Sequence, residues 1–213
     1  MSYWGWVQIG GTICAVFGDE DAGRSLELTH DGNIVAFGSP YRMGGGRVYA
    51  FYFDGAGWVQ MGDSINGIQH AEEFGGAMSI SGDGSTIAAG ANQNRDNGEN
   101  AGQTRIYRYS VAIDEVANTP GNWVQVGTIN GEVAGDRCGI GDGIDLNFIG
   151  SIVAIGCTHA DSGAGHVRVF HLTGDEWEQL GSNIPGTGGR FGYSVSLTDL
   201  GHTVAVVSIC VHS

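Results

Sequence analysis

Lysine is absent from this chain, and positive charge is scarce: nine arginines face 23 acidic residues, for a formal net charge of −14. A surface this acidic repels the phosphates of nucleic acids and the headgroups of anionic membranes, so neither is an expected partner. Long apolar runs are also missing, and no segment approaches the ~18 residues of a membrane span. The composition therefore argues against membrane insertion and favours partners that present cationic groups.

Proline and a secretory leader are two further absences. Only 3 prolines accompany 39 glycines among the 213 residues, which indicates many tight turns rather than a disordered linker. The glycines have no period of three, so a collagen-like helix is excluded. The opening MSYWGW has neither the charged nor the apolar region of a signal peptide. We expect either an intracellular chain or an internal piece of a longer protein.

The cysteines show no CxxC spacing, so a zinc site has little support. Burial as free thiols is the simpler expectation, because free cysteine is among the most buried residue types. Cys138 and Cys157 fall within one repeat of the sequence, so a bond between them stays open as the alternative. The four cysteines are Cys14, Cys138, Cys157 and Cys210.

One short phrase recurs along the chain, as WVQIG, WVQMG, WVQVG and WEQLG. Self-similarity with a period near 50 residues is typical of repeat architectures. Between the phrases lie short segments rich in Val, Ile, Tyr and Phe, separated by Gly, Asp and Asn. Such segments predict strands joined by hairpins, and no 3.6-residue periodicity is long enough for a helix.

Each unit holds four predicted strands, which we label a, b, c and d, with the Trp phrase as strand d. Four strands in about 50 residues is the size of a β-propeller blade. A β-sandwich is the alternative, but a sandwich needs no near-identical unit. The sequence therefore predicts an all-β, incomplete or small propeller, with three complete repeats and partial terminal ones. A single array over 1–213 has units at about 6–57, 58–122, 123–176 and a partial 177–213.

The positions shared by the repeats have a predicted structural role. A tryptophan at one place in every blade is expected to pack between neighbouring blades rather than to stack on a sugar. An aligned glycine marks the beginning of each strand a. These residues are Trp6, Trp58, Trp123, Trp177, Gly23, Gly75, Gly139 and Gly192.

An FG pair, or its glycine alone, begins each unit, and a Gly-Ala-Pro-like phrase ends strand b. The first element is Ala22-Gly23, Phe74-Gly75, Cys138-Gly139 and Phe191-Gly192, and the second is GSP (38–40), GA (90–91) and Gly156-Cys157. This pattern resembles the FG-GAP repeat of the integrin α-chain β-propeller, over nearly the whole chain. The resemblance implies a propeller that serves in recognition or cell adhesion, outside the cell or at its surface.

Integrin-type repeats often carry a DxDxDGxxD calcium loop between strands a and b. Here that connection is reduced to short turns such as THDGN and SGDGS. Only NQNRDNGEN keeps ligand-like spacing, so one hypothesis is a calcium loop at this insertion. A solvated Asn- and Gly-rich insertion is the other, because just one of the four candidates is charged. The candidate ligands are Asn92, Asn94, Asp96 and Asn100.

Two further groups of loop residues are candidates for chemistry. Glu20, Glu72 and Asp136 each precede an aligned glycine by three positions, and would either form an acidic ring at one rim or be solvated loop acids. His159 and Asp161 have the types needed for general-base catalysis. No nucleophile with an elbow motif accompanies them, so surface chemistry is the simpler interpretation.

The sequence favours a protein that is not an enzyme: a recognition or adhesion module whose loops bind a protein or a polysaccharide. One alternative is a glycan-acting enzyme or enzyme-associated propeller, which would show carboxylates converging on the central channel. The other is a structural protein that self-associates through open blade edges. The expected binding loops are 15–22, 67–73, 91–101, 111–122 and 132–138.

Overall fold

The computed structural model describes residues 5–14, 21–41, 44–110 and 121–209. Glu20, Cys210 and most of the loops 15–22 and 111–122 lie outside these ranges. Within them, regular structure is almost entirely antiparallel strand, with one helical turn, α1 Ala160–Gly163. No helix in the described part of the chain is long and apolar enough to cross a membrane.

The strands form four sheets in chain order. Each sheet is built from consecutive antiparallel strands, as the alternation of Val- and Ile-rich segments with turns predicts. The first sheet contains β1 Leu26–Leu28, β2 Ile34–Ser39, β3 Arg47–Phe53, β4 Trp58–Gln60 and β5 Ile65–Asn66; the second contains β6 Met78–Ile80, β7 Thr86–Ala91, β8 Gln103–Ser110 and β9 Asn122–Asn130; the third contains β10 Ile144–Leu146, β11 Ile152–Cys157, β12 His166–Thr173, β13 Glu176–Gln179 and β14 Ile184–Pro185; the fourth contains β15 Ser194–Leu197 and β16 Val204–Val207.

The sheets are propeller blades. In the three larger ones the strand order a-b-c-d follows the chain, and a short extra strand, β5 or β14, pairs with strand c of the first and third. The strands a of successive blades contact one another, so they are the innermost strands around a common axis. The prediction of three complete blades and a partial one is thereby confirmed. The N-terminal Trp phrase differs from the prediction, because residues 5–14 form no strand.

Glycines at the blade interface let neighbouring backbones touch. Gly90, near the end of β7, lies so close to the next blade that an added Cβ would overlap the carbonyl oxygen of Gly139. Gly38 stands in the same relation to Gly75, and Gly156 to Gly192. The glycine that ends strand b in one blade therefore packs on the glycine that begins strand a of the next. Val207 holds the equivalent place in β16, where its side chain is exposed.

The Trp phrase connects blades at their outer side. The Trp123 indole nitrogen donates to the carbonyl oxygen of Met61, in the phrase of the preceding blade, at 2.8 Å. A Cβ on Gly127 would overlap the Trp177 indole, and one on Gly10 would lie 3.1 Å from the Trp58 ring. The indoles of Trp58 and Trp177 thus cover the glycine that ends the preceding phrase, whereas Trp123 is joined to that phrase by its hydrogen bond to Met61. Trp6 departs from the expected packing: it is fully exposed, with no earlier phrase among the described residues to cover.

Cys138 and Cys157 form a disulfide within the third blade, and both are buried. The expectation of free buried thiols is therefore wrong for this pair. Cys138 stands directly before Gly139, where other blades have Phe or Ala, and Cys157 directly follows Gly156. The Gly139 amide donates to the Gly156 carbonyl oxygen, and this backbone contact brings the two sulfurs together. Cys14 is a free and exposed thiol.

Substitution of Gly90 by Ala tests the backbone contact between blades. The φ of Gly90 is not in the left-handed region, so Gly90→Ala adds only a methyl group that overlaps the Gly139 carbonyl. We expect a loss of about 1–3 kcal/mol in the free energy of unfolding, measured by urea denaturation. Gly57→Ala is the matched control, because nothing lies within 4 Å of its added Cβ. Equal stability of the two variants would contradict the proposed contact.

Removal of the disulfide is a second stability test. The bond closes a loop with a sequence separation of 19, for which a loss of about 3 kcal/mol is expected in the double variant Cys138→Ala/Cys157→Ala. The measurement is the urea midpoint with and without reductant. Cys14→Ser is the control, and it should respond to reductant as the parent does. A parent protein whose midpoint ignores reductant would show that the bond does not form.

Candidate functional site

Four polar side chains occupy one register position on the innermost strands. Each lies opposite an alanine of strand b: Glu27 pairs with Ala36, Ser79 with Ala88, Asp145 with Ala154 and Ser196 with Ala205. We call these four residues the inner ring. Carboxylates therefore do face the central channel, which is the feature that the sequence analysis assigned to an enzyme.

Inner-ring side chains bind the backbone of the following blade. Glu27 Oε2 accepts a hydrogen bond from the Ile80 amide at 2.7 Å, and Ser79 Oγ accepts one from the Leu146 amide at 3.0 Å. Asp145 Oδ2 accepts from the Leu197 amide at 2.5 Å. Each bond satisfies an N–H on the free edge of an innermost strand, so the first role of the inner ring is to hold the blades together.

Burial changes the protonation of these acids. Loss of hydration raises the pKa of Glu27 to about 7, and the bond from the Ile80 amide only partly offsets it. Burial raises the pKa of Asp145 as well. A cavity of about 220 Å³ beside them is lined also by His30 and Asp199. Raised carboxyl pKa values suit general acids, although both groups here are already bonded to the fold.

A larger cavity lies at the other end of the blades, where strands a begin and strands b end. We call it the axial mouth; it measures about 300 Å³ and receives side chains from all four blades. Its lining is mostly polar. The lining residues are Arg24, Pro40, Tyr41, Glu73, Gly76, Asn92, Gln93, Arg137, Ile140, Gly141, Arg190 and Tyr193.

One backbone position supplies three of the four charged side chains of the axial mouth, those of Glu73, Arg137 and Arg190; the fourth, Arg24, follows an aligned glycine. The residue two places before the aligned glycine is left-handed in all four blades, with φ of 58° at Asp21, 57° at Glu73, 51° at Arg137 and 56° at Arg190. Non-glycine residues rarely adopt this conformation, and those that do cluster at ligand and active sites. The sequence analysis missed this position; comparison of the residues before each aligned glycine would have found it.

His159 lies beside the two arginines of the third and fourth blades. Burial, with added repulsion from Arg137 and then Arg190, lowers the pKa of His159 below its ordinary value. The imidazole is consequently neutral at pH 7, and its Nδ1 lies 2.8 Å from Thr158 Oγ1. Asp161, the expected partner of His159, instead lies 3.0 Å from Nδ1 of His166.

The proposed acidic ring is not formed. Glu72 is buried and pairs with Arg105 at 2.5 Å, and although burial alone would raise its pKa, the bonds from Arg105 and Asn94 lower it. Asp136 is buried too, and its carboxylate accepts the amides of Glu132 and Val133. Both acids fix the loops that precede strands a. Glu20 lies outside the described residues.

The hypothetical calcium loop has a different set of bonds. Asp96 accepts hydrogen bonds from the side-chain amides of Gln69 at 2.6 Å and Gln103 at 2.8 Å, and Asn94 Oδ1 accepts the Asp96 amide. Asn92 lines the axial mouth and Asn100 is left-handed, with φ of 56°. No cluster of three His, Cys, Asp or Glu suited to a metal occurs in the described residues. The side-chain oxygens of Asp96 and Asn94 accept hydrogen bonds from the protein itself. Calcium binding at this loop stays a prediction.

Parts of the expected binding loops 91–101, 67–73 and 132–138 meet at the axial mouth. Asn92 and Gln93 of the first loop reach the axial mouth, as does Glu73 of loop 67–73. The mouth therefore gathers parts of several expected loops into one site.

Comparison with known proteins identifies the fold class. No family profile and no curated protein matches the chain. Among solved structures, a "putative 6-phosphogluconolactonase" from Bacteroides uniformis matches with a TM-score of 0.52 and 16% identity, over 89% of this chain and 44% of that one. Sqt1 of Chaetomium thermophilum, solved with the N-terminus of ribosomal protein L10, matches with a TM-score of 0.50 and 16% identity, over 83% and 40%. The chain spans less than half the length of either.

These likenesses support a propeller-type fold and correct two expectations. No integrin or FG-GAP protein is among the matches reported above, so the likeness supports the propeller and not that family. The expectation that the chain is not an enzyme, which rested on the resemblance to adhesion propellers and on the lack of a nucleophile motif, is contradicted by a solved structure of this fold that is named a "putative 6-phosphogluconolactonase".

The raised pKa of Glu27 predicts a pH dependence of stability. A carboxyl whose pKa rises from 4.5 to about 7 on folding binds more protons in the folded state, so its contribution falls as pH rises from about 4.5 to 7. Glu27→Gln should remove about 1–3 kcal/mol of this decline in the free energy of unfolding. Urea titrations at several pH values measure it. The exposed Glu176→Gln is the control, and identical pH profiles of parent and Glu27→Gln would refute the assignment.

Proposed function

We propose that this chain forms part of a glycan- or sugar-directed enzyme, or of the ligand-holding propeller of such an enzyme, with the axial mouth as its ligand site. The observation that carries the proposal is the convergence of polar side chains from all four blades on one cavity of about 300 Å³ at the mouth. Ligand sites are commonly concave and unite a few polar groups from separate elements.

The chemistry of the lining suits a sugar. Glu73, Asn92 and Gln93 offer carboxylate and amide groups that can accept from and donate to hydroxyls. Tyr41 and Tyr193 add rings that can pack on the apolar face of a sugar. The name of the neighbour from Bacteroides uniformis, which refers to a sugar lactone, is in keeping with this class.

Groups of the lining, together with His159, which is not part of the lining but lies near Arg137 and Arg190, can support hydrolysis. Neutral His159 can accept a proton, and the Glu73 carboxylate, to which the Gln93 side-chain amide donates, is a second acid–base group. Positive charge from Arg137 and Arg190 would stabilise an oxyanion formed in the transition state. Water activated by His159 is therefore the proposed nucleophile: it would add to the carbonyl carbon of a sugar ester or lactone and give its proton to His159. The acyl C–O bond would then break, and the leaving oxygen would take the proton back from the imidazolium.

Recognition of a protein segment is a second candidate. A specific observation favours it: Sqt1, which has the same fold type, was solved with the N-terminus of a ribosomal protein. Self-association is a further proposal, supported by β16, whose outer edge has no partner strand among the described residues. For location, we propose an oxidising compartment such as the cell exterior, which the buried disulfide supports.

Hydrolysis of a panel of sugar lactones, esters and glycosides tests the main proposal. We expect turnover that falls about 10²-fold in His159→Asn and in Glu73→Gln, because each variant removes a proton-transfer group. The exposed His202→Asn is the control and should keep the parent rate. Turnover that neither variant changes would place the reaction elsewhere, and absence of both turnover and sugar binding would refute the proposed function.

A further inference from the structure

We infer that Arg24, Arg137 and Arg190 form an anion subsite in the axial mouth, which takes the phosphate or carboxylate group of a small acidic sugar. This inference rests on the proposed function for the sugar part of the ligand. The binding of the anion itself stands on the arginines alone. It runs against the composition, since a net charge of −14 favours cationic partners elsewhere on the surface.

Arginine is rare in this chain, and its distribution is uneven. Three of nine arginines line one cavity, although the 23 acidic residues are spread over the whole sequence. The three come from different blades, at positions 113 and 53 residues apart in sequence. Side chains so distant in sequence meet here only because every blade directs its first loop to the axis.

The mouth arginines differ from Arg105 and Arg168 in their partners. Arg105 is buried against Glu72, and Arg168 lies 3.9 Å from Glu132 and donates to the Asn130 carbonyl. In the described part of the chain, no carboxylate lies within ion-pair distance of Arg24, Arg137 or Arg190. Three guanidinium groups share the cavity with one carboxylate, Glu73, which forms no ion pair with them, so the lining keeps a net positive charge that a bound anion would neutralise.

His159 lies within the electrostatic reach of two of these arginines. Burial, followed by repulsion from Arg137 and Arg190, lowers the pKa of its imidazole. Their backbones are also fixed in the left-handed conformation, so the two guanidinium groups emerge from constrained positions rather than from a mobile loop. Guanidinium groups bind phosphate and carboxylate through paired N–H donors, which makes a pair of constrained arginines a strong oxyanion receptor.

The charge arrangement also orients the ligand. The equivalent position carries Asp21 and Glu73 in the first two blades and Arg137 and Arg190 in the last two. The anionic group would therefore lie toward the third and fourth blades, and the hydroxyl groups toward Glu73 and Gln93, whose oxygen and amide atoms suit them. A neutral sugar would contact only Glu73 and Gln93 and would leave the arginines without a bound anion.

Calorimetry with inorganic phosphate, glucuronate and glucose tests the subsite. We expect phosphate and glucuronate to bind, glucose to bind at least tenfold more weakly than glucuronate, and Arg137→Gln and Arg190→Gln to weaken the two anions about tenfold each. Affinity should fall as NaCl is raised. The exposed Arg95→Gln lies outside the mouth and should bind as the parent does.

An NMR titration of the His159 imidazole supplies a second readout. A bound anion favours the charged imidazole, so saturating phosphate should raise the pKa of His159 in the parent and leave it unchanged in Arg137→Gln/Arg190→Gln. Absence of anion binding at millimolar concentration, or binding that these variants do not weaken, would overturn the subsite. Sugar turnover without anion binding would overturn the subsite while leaving the proposed function intact. Phosphate binding with neither turnover nor binding of any sugar would support the subsite and overturn the proposed function.

Discussion

The contact between a glycine in one blade and a glycine carbonyl in the next is the constraint on which this structure depends. Strand b of each of the first three blades has such a glycine, Gly38, Gly90 or Gly156, where a side chain would overlap the following blade. Because the backbones touch there, the innermost strands come close enough for Glu27, Ser79 and Asp145 to bind amides of the next blade. The glycines of the FG and GAP-like phrases therefore indicate how the blades pack, and they carry no information about the ligand.

The same contact builds the axial mouth. The aligned glycine is left-handed in each blade, and the residue two places before it is left-handed as well. In the second, third and fourth blades this turn delivers one side chain to the mouth while the glycine itself packs on the blade before. The scaffold thus fixes where these side chains begin, and the residue type at this position can vary. Glu73 and Arg190 share a backbone conformation and have side chains of opposite charge.

The repeat made the fold predictable, and its irregularities made the site hard to predict. Strands a to d and the phrases of Trp58, Trp123 and Trp177 recur in the same order from unit to unit, although these tryptophans are 65 and 54 residues apart, so alignment of the repeats was sufficient for the fold. Arg24, Arg137 and Arg190 do not share one repeat position, and only the folded blades bring them together. Trp6 is exposed, and Glu72 is buried in an ion pair with Arg105 instead of lining a rim. Both outcomes depend on neighbouring residues in the fold, which an alignment of the repeats does not show.

The two outer faces of the array are not equivalent. At the first blade, nothing lies within 4 Å of a Cβ added to Gly23, although its counterparts Gly75, Gly139 and Gly192 each lie against a glycine of the blade before. At the last blade, Val207 replaces the glycine that would meet a following blade, and its side chain would occupy the space of that backbone contact. A further blade could therefore pack on the first face through the glycine contact. On the last face, a further blade would need a different kind of contact. Since the mouth draws on all four blades present, any blade added at either face would enlarge its rim and leave Arg137 and Arg190 where they are.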